Sequence, residues 1–94
     1  MDTQNELTMA SSQMIQELSR HKVIVGTKQL KKALGKGRVR YVFLAENADP
    51  AVTEPLRVLC EGGNIQITWV RSMADLGRAC GIEVGAAAAA VVNP

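Results

Sequence analysis

The chain is predicted to fold as an α/β sandwich with helices on both faces of a mixed sheet. Three observations carry that prediction. Short apolar, β-branched runs alternate with segments of helical period. The helical segments open at capping residues and close at glycine. Tyr41-Val42-Phe43-Leu44-Ala45 is a continuous apolar run of strand length, the mark of a strand covered on both sides.

Met1 to Ala10 is polar, without firm periodicity, and partial disorder is expected there. From an N-cap at Ser11 or Ser12, the spacing of Met14, Ile15 and Leu18 predicts a short helix to about Ser19. Val23-Ile24-Val25 reads as a strand broken by Gly26-Thr27. The next helix has Thr27 as its expected cap, an apolar face of Leu30, Ala33 and Leu34, and an end near Lys36 marked by Gly35 and Gly37. After the Tyr41–Ala45 strand, Asp49 caps a helix with Pro50 in its first turn; it runs through Val52, Leu56 and Leu59 to about Cys60, and Gly62-Gly63 stops it. Ile65 to Val70 is a strand. Ser72 then caps a helix carrying Met73, Leu76 and Ala79, ended by Gly81. Ala86 to Val92 pulls both ways, since alanine favours helix while Val91-Val92 favour a strand. The alanine run reads as tight packing, because small side chains let helices approach a sheet closely.

With 94 residues and a hydrophobic fraction of 47%, the chain fits one domain with an ordinary core. The three aromatics, Tyr41, Phe43 and Trp69, are too few for a protein that reads single strands by stacking bases. A net charge of +2 decides little by itself, because a partner is indicated by where charge clusters. Cys60 and Cys80 belong to no metal-ligand spacing and His21 is the only histidine, so two reduced, largely buried thiols are expected and no metal site. No apolar run approaches the roughly 20 residues of a membrane helix, and the N-terminus lacks the pattern of a signal peptide. A cytoplasmic, monomeric protein with no membrane association is the expectation.

Charge does cluster at one place. Winding Thr27 to Lys36 at about 100° per residue sets Leu30, Ala33 and Leu34 toward the core and Lys28, Lys32 and Lys36 in a stripe on the opposite side. Gln29 borders the stripe and Lys31 lies on its other flank. Like charges four residues apart repel, and Lys28 sits where the helix dipole disfavours a cation. A nucleic-acid backbone would offset both costs. Free N–H groups after Gly26 attract phosphate oxygens, the lysines can displace counterions, and Gln29 carries the donor and acceptor needed to read a base edge. A solvated lysine face kept for solubility explains the same pattern without a partner.

Three stretches of this sequence resemble a known family: Gly26-Thr27-Lys28-Gln29 followed by Lys32-Ala33, then Ala45-Glu46-Asn47-Ala48-Asp49-Pro50, then Leu76-Gly77-Arg78-Ala79-Cys80-Gly81-Ile82-Glu83-Val84. In order and spacing they are similar to the L-seven-Ae/L-thirty-e superfamily of ribosomal and kink-turn RNA-binding proteins, and most of all to its bacterial members. The resemblance implies a three-layer α/β/α sandwich on a mixed, roughly four-stranded sheet. It implies binding of kink-turns, sharply bent RNA duplexes with tandem sheared G·A pairs, in ribosomal RNA, an mRNA leader or a riboswitch, without a cofactor. Lys28, Gln29 and Lys32 match the positions that contact the sheared guanines. Ile82 and Val84 by themselves suit core or strand-entry roles, but with Glu83 they match a loop that packs on a flipped-out nucleotide. The archaeal and eukaryotic pattern has Asn-Glu where this chain has Lys28-Gln29, so a donor-only charge replaces an amide and an amide replaces an acceptor. Glu83 is the less obvious member, since a carboxylate repels phosphates unless it accepts a hydrogen bond from a base, a sugar or a lysine. The RNA-facing set is therefore Gly26, Thr27, Lys28, Gln29, Lys32, Lys36, Ile82, Glu83 and Val84.

Two other readings compete. Glu46, Asn47 and Asp49 follow a buried strand, where α/β folds often place active sites, and carboxylates there can hold Mg²⁺ or act as acid and base. Asp49 is already used as a helix cap, however, and neither a Walker nor a Rossmann glycine pattern is present. The second is a protein-interaction adaptor of the same fold that does not bind kink-turns.

Overall fold

The computed structural model describes residues 22–93; the expected helix from Ser11 or Ser12 to Ser19 lies outside them. Seven elements follow in order: β1 (Val23–Val25), α1 (Thr27–Gly35), β2 (Val39–Ala45), α2 (Pro50–Gly62), β3 (Gln66–Val70), α3 (Met73–Ala79) and β4 (Ala88–Val92). The four strands form one sheet in the order β1-β4-β2-β3. Strand β4 is antiparallel to both β1 and β2, whereas β2 and β3 are parallel, so β1, β2 and β3 all run one way around a central reversed strand.

That arrangement resolves the ambiguous alanine segment in favour of a strand, and packing explains why. Every residue of β4 is buried. Ala88, Ala90 and Val92 join Leu30, Val42, Leu44, Leu56 and Cys60 in the core beneath α1 and α2. Ala89 and Val91 join Phe43, Val70, Leu76 and Ala79 in the core beneath α3. A central strand with both faces covered meets a packed layer on each side, and alanine is what fits there. Strand β2 is sandwiched in the same way, with Val42, Phe43, Leu44 and Ala45 almost wholly inaccessible. Burying a valine, leucine or phenylalanine completely contributes about 1.5–3 kcal/mol each, so Val42, Phe43 and Leu44 on β2, with Val91 on β4, anchor the fold. All three aromatics lie in or against the core, with Tyr41 meeting Phe43 edge-on at 5.6 Å, and none forms an open stacking platform.

The helix ends follow local chemistry, with two corrections to the sequence reading. Asp49 caps α2, its Oδ1 accepting from the Ala51 N–H at 2.9 Å. Ser72 caps α3, its hydroxyl accepting from the Asp75 N–H at 3.1 Å. Thr27, by contrast, does not cap α1. The N-cap is Gly26, at φ 107° and ψ 146°, and Thr27 is the first helical residue. The turn out of β1 needs a backbone conformation open to glycine at little cost, which draws the threonine into the helix. At the other ends all three helices close with the same paired bonds: Arg38 N–H to Ala33 C=O and Gly37 N–H to Leu34 C=O; Ile65 to Cys60 and Asn64 to Glu61; Ile82 to Gly77 and Gly81 to Arg78. The residue after the cap is left-handed each time, at Gly37, Asn64 and Gly81. Asn64, not the Gly62-Gly63 pair, therefore stops α2.

Both cysteines are free. Cys60 is buried and Cys80 half-buried, and burial pushes both thiols up from their ordinary range. No helix among the described residues is long and apolar enough to cross a membrane.

Ala89→Leu inserts three carbons between β4 and the α3 layer. It is expected to lower stability by about 1–3 kcal/mol, read as a reduced urea midpoint. An unchanged midpoint would mean that the layers have room to spare.

Candidate nucleic-acid interface

Because β4 runs against its neighbours, the segment entering it lies at the same end of the sheet as the segments leaving β1, β2 and β3. Backbone bonds tie these pieces together. The Gly26 N–H donates to the Ala88 carbonyl at 3.1 Å, and the Ala45 N–H donates to Ala87 at 2.9 Å. The Glu46 N–H donates to Val70 at 2.7 Å, and the Ala86 N–H to Met73 at 3.0 Å. The tip of α1 and the loop from Gly81 to Ala87 are thus built onto one end of the sheet, although they are far apart in sequence.

At the tip, Leu30 is completely buried and fixes how α1 rolls on the sheet. Ala33 and Leu34 are partly buried beside it. Lys28, Gln29, Lys31, Lys32 and Lys36 are all exposed, as the helical winding predicts. No side chain caps α1, unlike α2 and α3, and Leu30 is the first N–H bonded back to Gly26. The N–H groups before it have no partner in the helix itself. The lysines also lack acidic partners among the described residues. The ion pairs there belong to Arg57, which joins Glu54 and Glu61 on α2, and to Arg78, which joins Asp75 on α3. Glu54, Glu61 and Asp75 are thus engaged on the other two helices, and among the described residues the α1 lysines form no ion pair. Lys36 sits two turns beyond Lys28, about 12 Å along the axis, and so belongs to the same stripe but not to the tip.

The loop shows two apolar side chains to solvent. Ile82 is 36% and Val84 70% exposed, and Glu83 between them is exposed without an ion pair to any described residue. Core and strand-entry roles for Ile82 and Val84 are thereby set aside. The loop is held from behind by Gly77 and Gly85. A Cβ at Gly77 would lie 2.1 Å from the Val84 carbonyl oxygen, and one at Gly85 would lie 3.1 Å from the Met73 Cβ. The Ile82 N–H donates to the Gly77 carbonyl at 3.0 Å. Gly77 is a positioning residue that the sequence reading passed over. Its signal was a glycine inside a helix, where it costs about 1 kcal/mol against alanine and needs a packing reason.

Two of the three residues considered for catalysis, Asn47 and Asp49, have structural work. Asn47 Oδ1 accepts from the Met73 N–H at 2.8 Å, locking the β2–α2 turn to the start of α3, and Asp49 caps α2. Among the described residues, no three His, Cys, Asp or Glu side chains gather where they could hold a metal ion.

Gly77→Ala is expected to destabilise the fold by about 1–3 kcal/mol and to speed amide exchange at Ile82, since the loop must lift off α3. Unchanged exchange at Ile82 would contradict the clamp.

Comparison with known proteins identifies the family and the fold. The model of the Ribosomal protein L7Ae/L30e/S12e/Gadd45 family matches residues 9–94. A Bacillus pumilus protein named "RNA-binding protein" is 47% identical over 70 residues, covering 74% of this chain and 85% of that one. "RNA-binding protein YbxF" of Geobacillus stearothermophilus is 42% identical over 72 residues, covering 77% and 88%. Among solved structures, the Giardia lamblia 15.5kD RNA binding protein superposes with a TM-score of 0.76 at 24% identity, over 86% of this chain and 68% of that one. A Bacillus halodurans C protein with unknown function superposes at 0.77, also at 24% identity, over 88% and 83%. Those two likenesses bear on the fold, and the sequence matches bear on the family. The chain belongs to the Ribosomal protein L7Ae/L30e/S12e/Gadd45 family.

Proposed function

We propose that this protein binds structured RNA without catalysing a reaction, and that its target is a kink-turn in ribosomal RNA, an mRNA leader or a riboswitch. The observation that carries the reading is the placement, at one end of the sheet, of both an uncapped cationic helix tip and an exposed apolar loop. A kink-turn has two features to match. Its bent backbone crowds phosphates, which suit the open N–H groups after Gly26 and Thr27 and the charges of Lys28 and Lys32. Its bulge frees a nucleotide, whose unstacked base suits the apolar surface of Ile82 and Val84. Gln29, exposed beside the lysines, can donate to and accept from the edge of a sheared guanine. Glu83 accepts from a base amino group or a ribose hydroxyl, the roles in which a carboxylate is tolerated near phosphates. The names of the bacterial relatives support the RNA part of this reading.

A gel shift tests it, with a kink-turn duplex set against the same duplex whose G·A pairs are changed to Watson–Crick pairs. Affinity should fall roughly 10- to 100-fold or more on the changed duplex, as expected when base-edge contacts are lost. Equal affinity would reduce the protein to a general RNA binder. Lys28→Gln with Lys32→Gln should weaken kink-turn binding and reduce the salt slope by about two, near one for each phosphate contact removed. An adaptor that works through protein contacts would keep its partner after both changes.

A further inference from the structure

A second cationic feature extends from the tip, sharing Gln29 and Lys32 with it. A cleft of about 250 Å³ opens beside the C-terminal half of α1, at the opposite end of the sheet, and four cations surround it: Lys22, Lys32, Lys36 and Arg38. All four are exposed. The rest of its lining is apolar at Ile24, Ala33 and Val92, which are partly or almost wholly buried parts of the core on that face, and polar at Gln29 and Asn93. The cleft therefore has a greasy floor and a positive rim.

Three separate stretches of chain build it, and backbone bonds fix each. The Val92 N–H donates to the Lys22 carbonyl at 3.0 Å, and the Asn93 N–H donates to the Arg38 carbonyl at 2.8 Å. The Arg38 N–H closes α1 on the Ala33 carbonyl at 3.1 Å. The stems of the four side chains are thus held around one space, where their charges repel. Among the described residues none of the four has an acidic partner. A bound polyanion would relieve that repulsion.

We propose that this cleft takes the sugar–phosphate backbone of a helical RNA stem leading away from the α1 tip; the assignment rests on the RNA-binding function proposed above. The floor distinguishes a backbone from a free phosphate. Ribose presents C–H groups that suit Ile24, Ala33 and Val92, while its flanking phosphates meet the rim. Gln29 lines the cleft as well as the tip, so the two surfaces are continuous. The 12 Å or so between Lys28 and Lys36 is covered by a few nucleotides of one strand. Lys22 and Arg38 extend the footprint beyond the helix that would contact the bend itself.

The test uses the full chain and three kink-turn RNAs: one with both arms trimmed to a few base pairs, and two with one arm or the other lengthened. Wild type should bind one of the lengthened RNAs more tightly than the trimmed one, with a salt slope steeper by about two. Lys22→Gln with Arg38→Gln should keep the affinity for the trimmed RNA and lose the gain from the longer arm. Lys22→Arg with Arg38→Lys should retain it. The assignment is overturned if wild type gains nothing from either arm, if the glutamine variant gains as much as wild type, or if that variant loses affinity equally for all three RNAs. Failure of wild type to bind even the trimmed RNA overturns the proposed function, and the cleft assignment with it. Binding without an arm effect overturns the cleft alone.

Discussion

The antiparallel pairing of β4 with both β1 and β2 is the constraint on which the rest of the molecule depends. A crossover strand running the other way would deliver the Gly81–Ala87 loop to the opposite end of the sheet from Gly26. As built, the Ala88 carbonyl receives the Gly26 N–H, and the two candidate surfaces lie at the same end of the sheet. The pairing in turn requires small residues. Strand β4 is pressed between α1 and α2 on one side and α3 on the other, so the alanines that look unremarkable in the sequence set the spacing of all three layers.

Charge is partitioned on this frame. Arg57 and Arg78 are bound by acids on their own helices, at surface positions where such pairs add little to stability. The α1 lysines, by contrast, form no ion pair among the described residues. The N-terminus of α1 has no side-chain cap, and a cap there would occupy the N–H groups that a phosphate would use. The glycine at the hinge keeps that end open. On the neighbouring loop, Gly77 and Gly85 allow the backbone to lie flat against α3, so that Ile82 and Val84 face outward instead of folding into the core.

Much of this was legible in the sequence, because local chemistry settles local structure. Asp49 before Pro50, and Ser72 before its helix, mark true caps. The apolar run at Tyr41–Ala45 marks a strand covered on both faces. Where the reading failed, a backbone torsion decided. Gly26 took over the turn that Thr27 was expected to make, and Asn64 took the left-handed position that the preceding glycines were expected to supply. Alanine's helical preference left Ala86–Val92 undecided until the two covering layers were in view. For Ile82 and Val84 the residues alone favoured burial, and it was the family resemblance that pointed to a displayed loop. The convergence of Lys22 and Arg38 with Lys32 and Lys36 had no local signal, since it joins three segments only through the sheet.

The central claim is that the α1 tip and the Ile82–Val84 loop act as one surface. Titrating kink-turn RNA into isotopically labelled protein and following backbone amides tests it most directly. The account predicts that Gly26 to Gln29 and Ile82 to Val84 shift together, over the same range of RNA concentration, as parts of one binding event. Shifts confined to the lysine helix, with the loop amides unmoved at saturation, would contradict it.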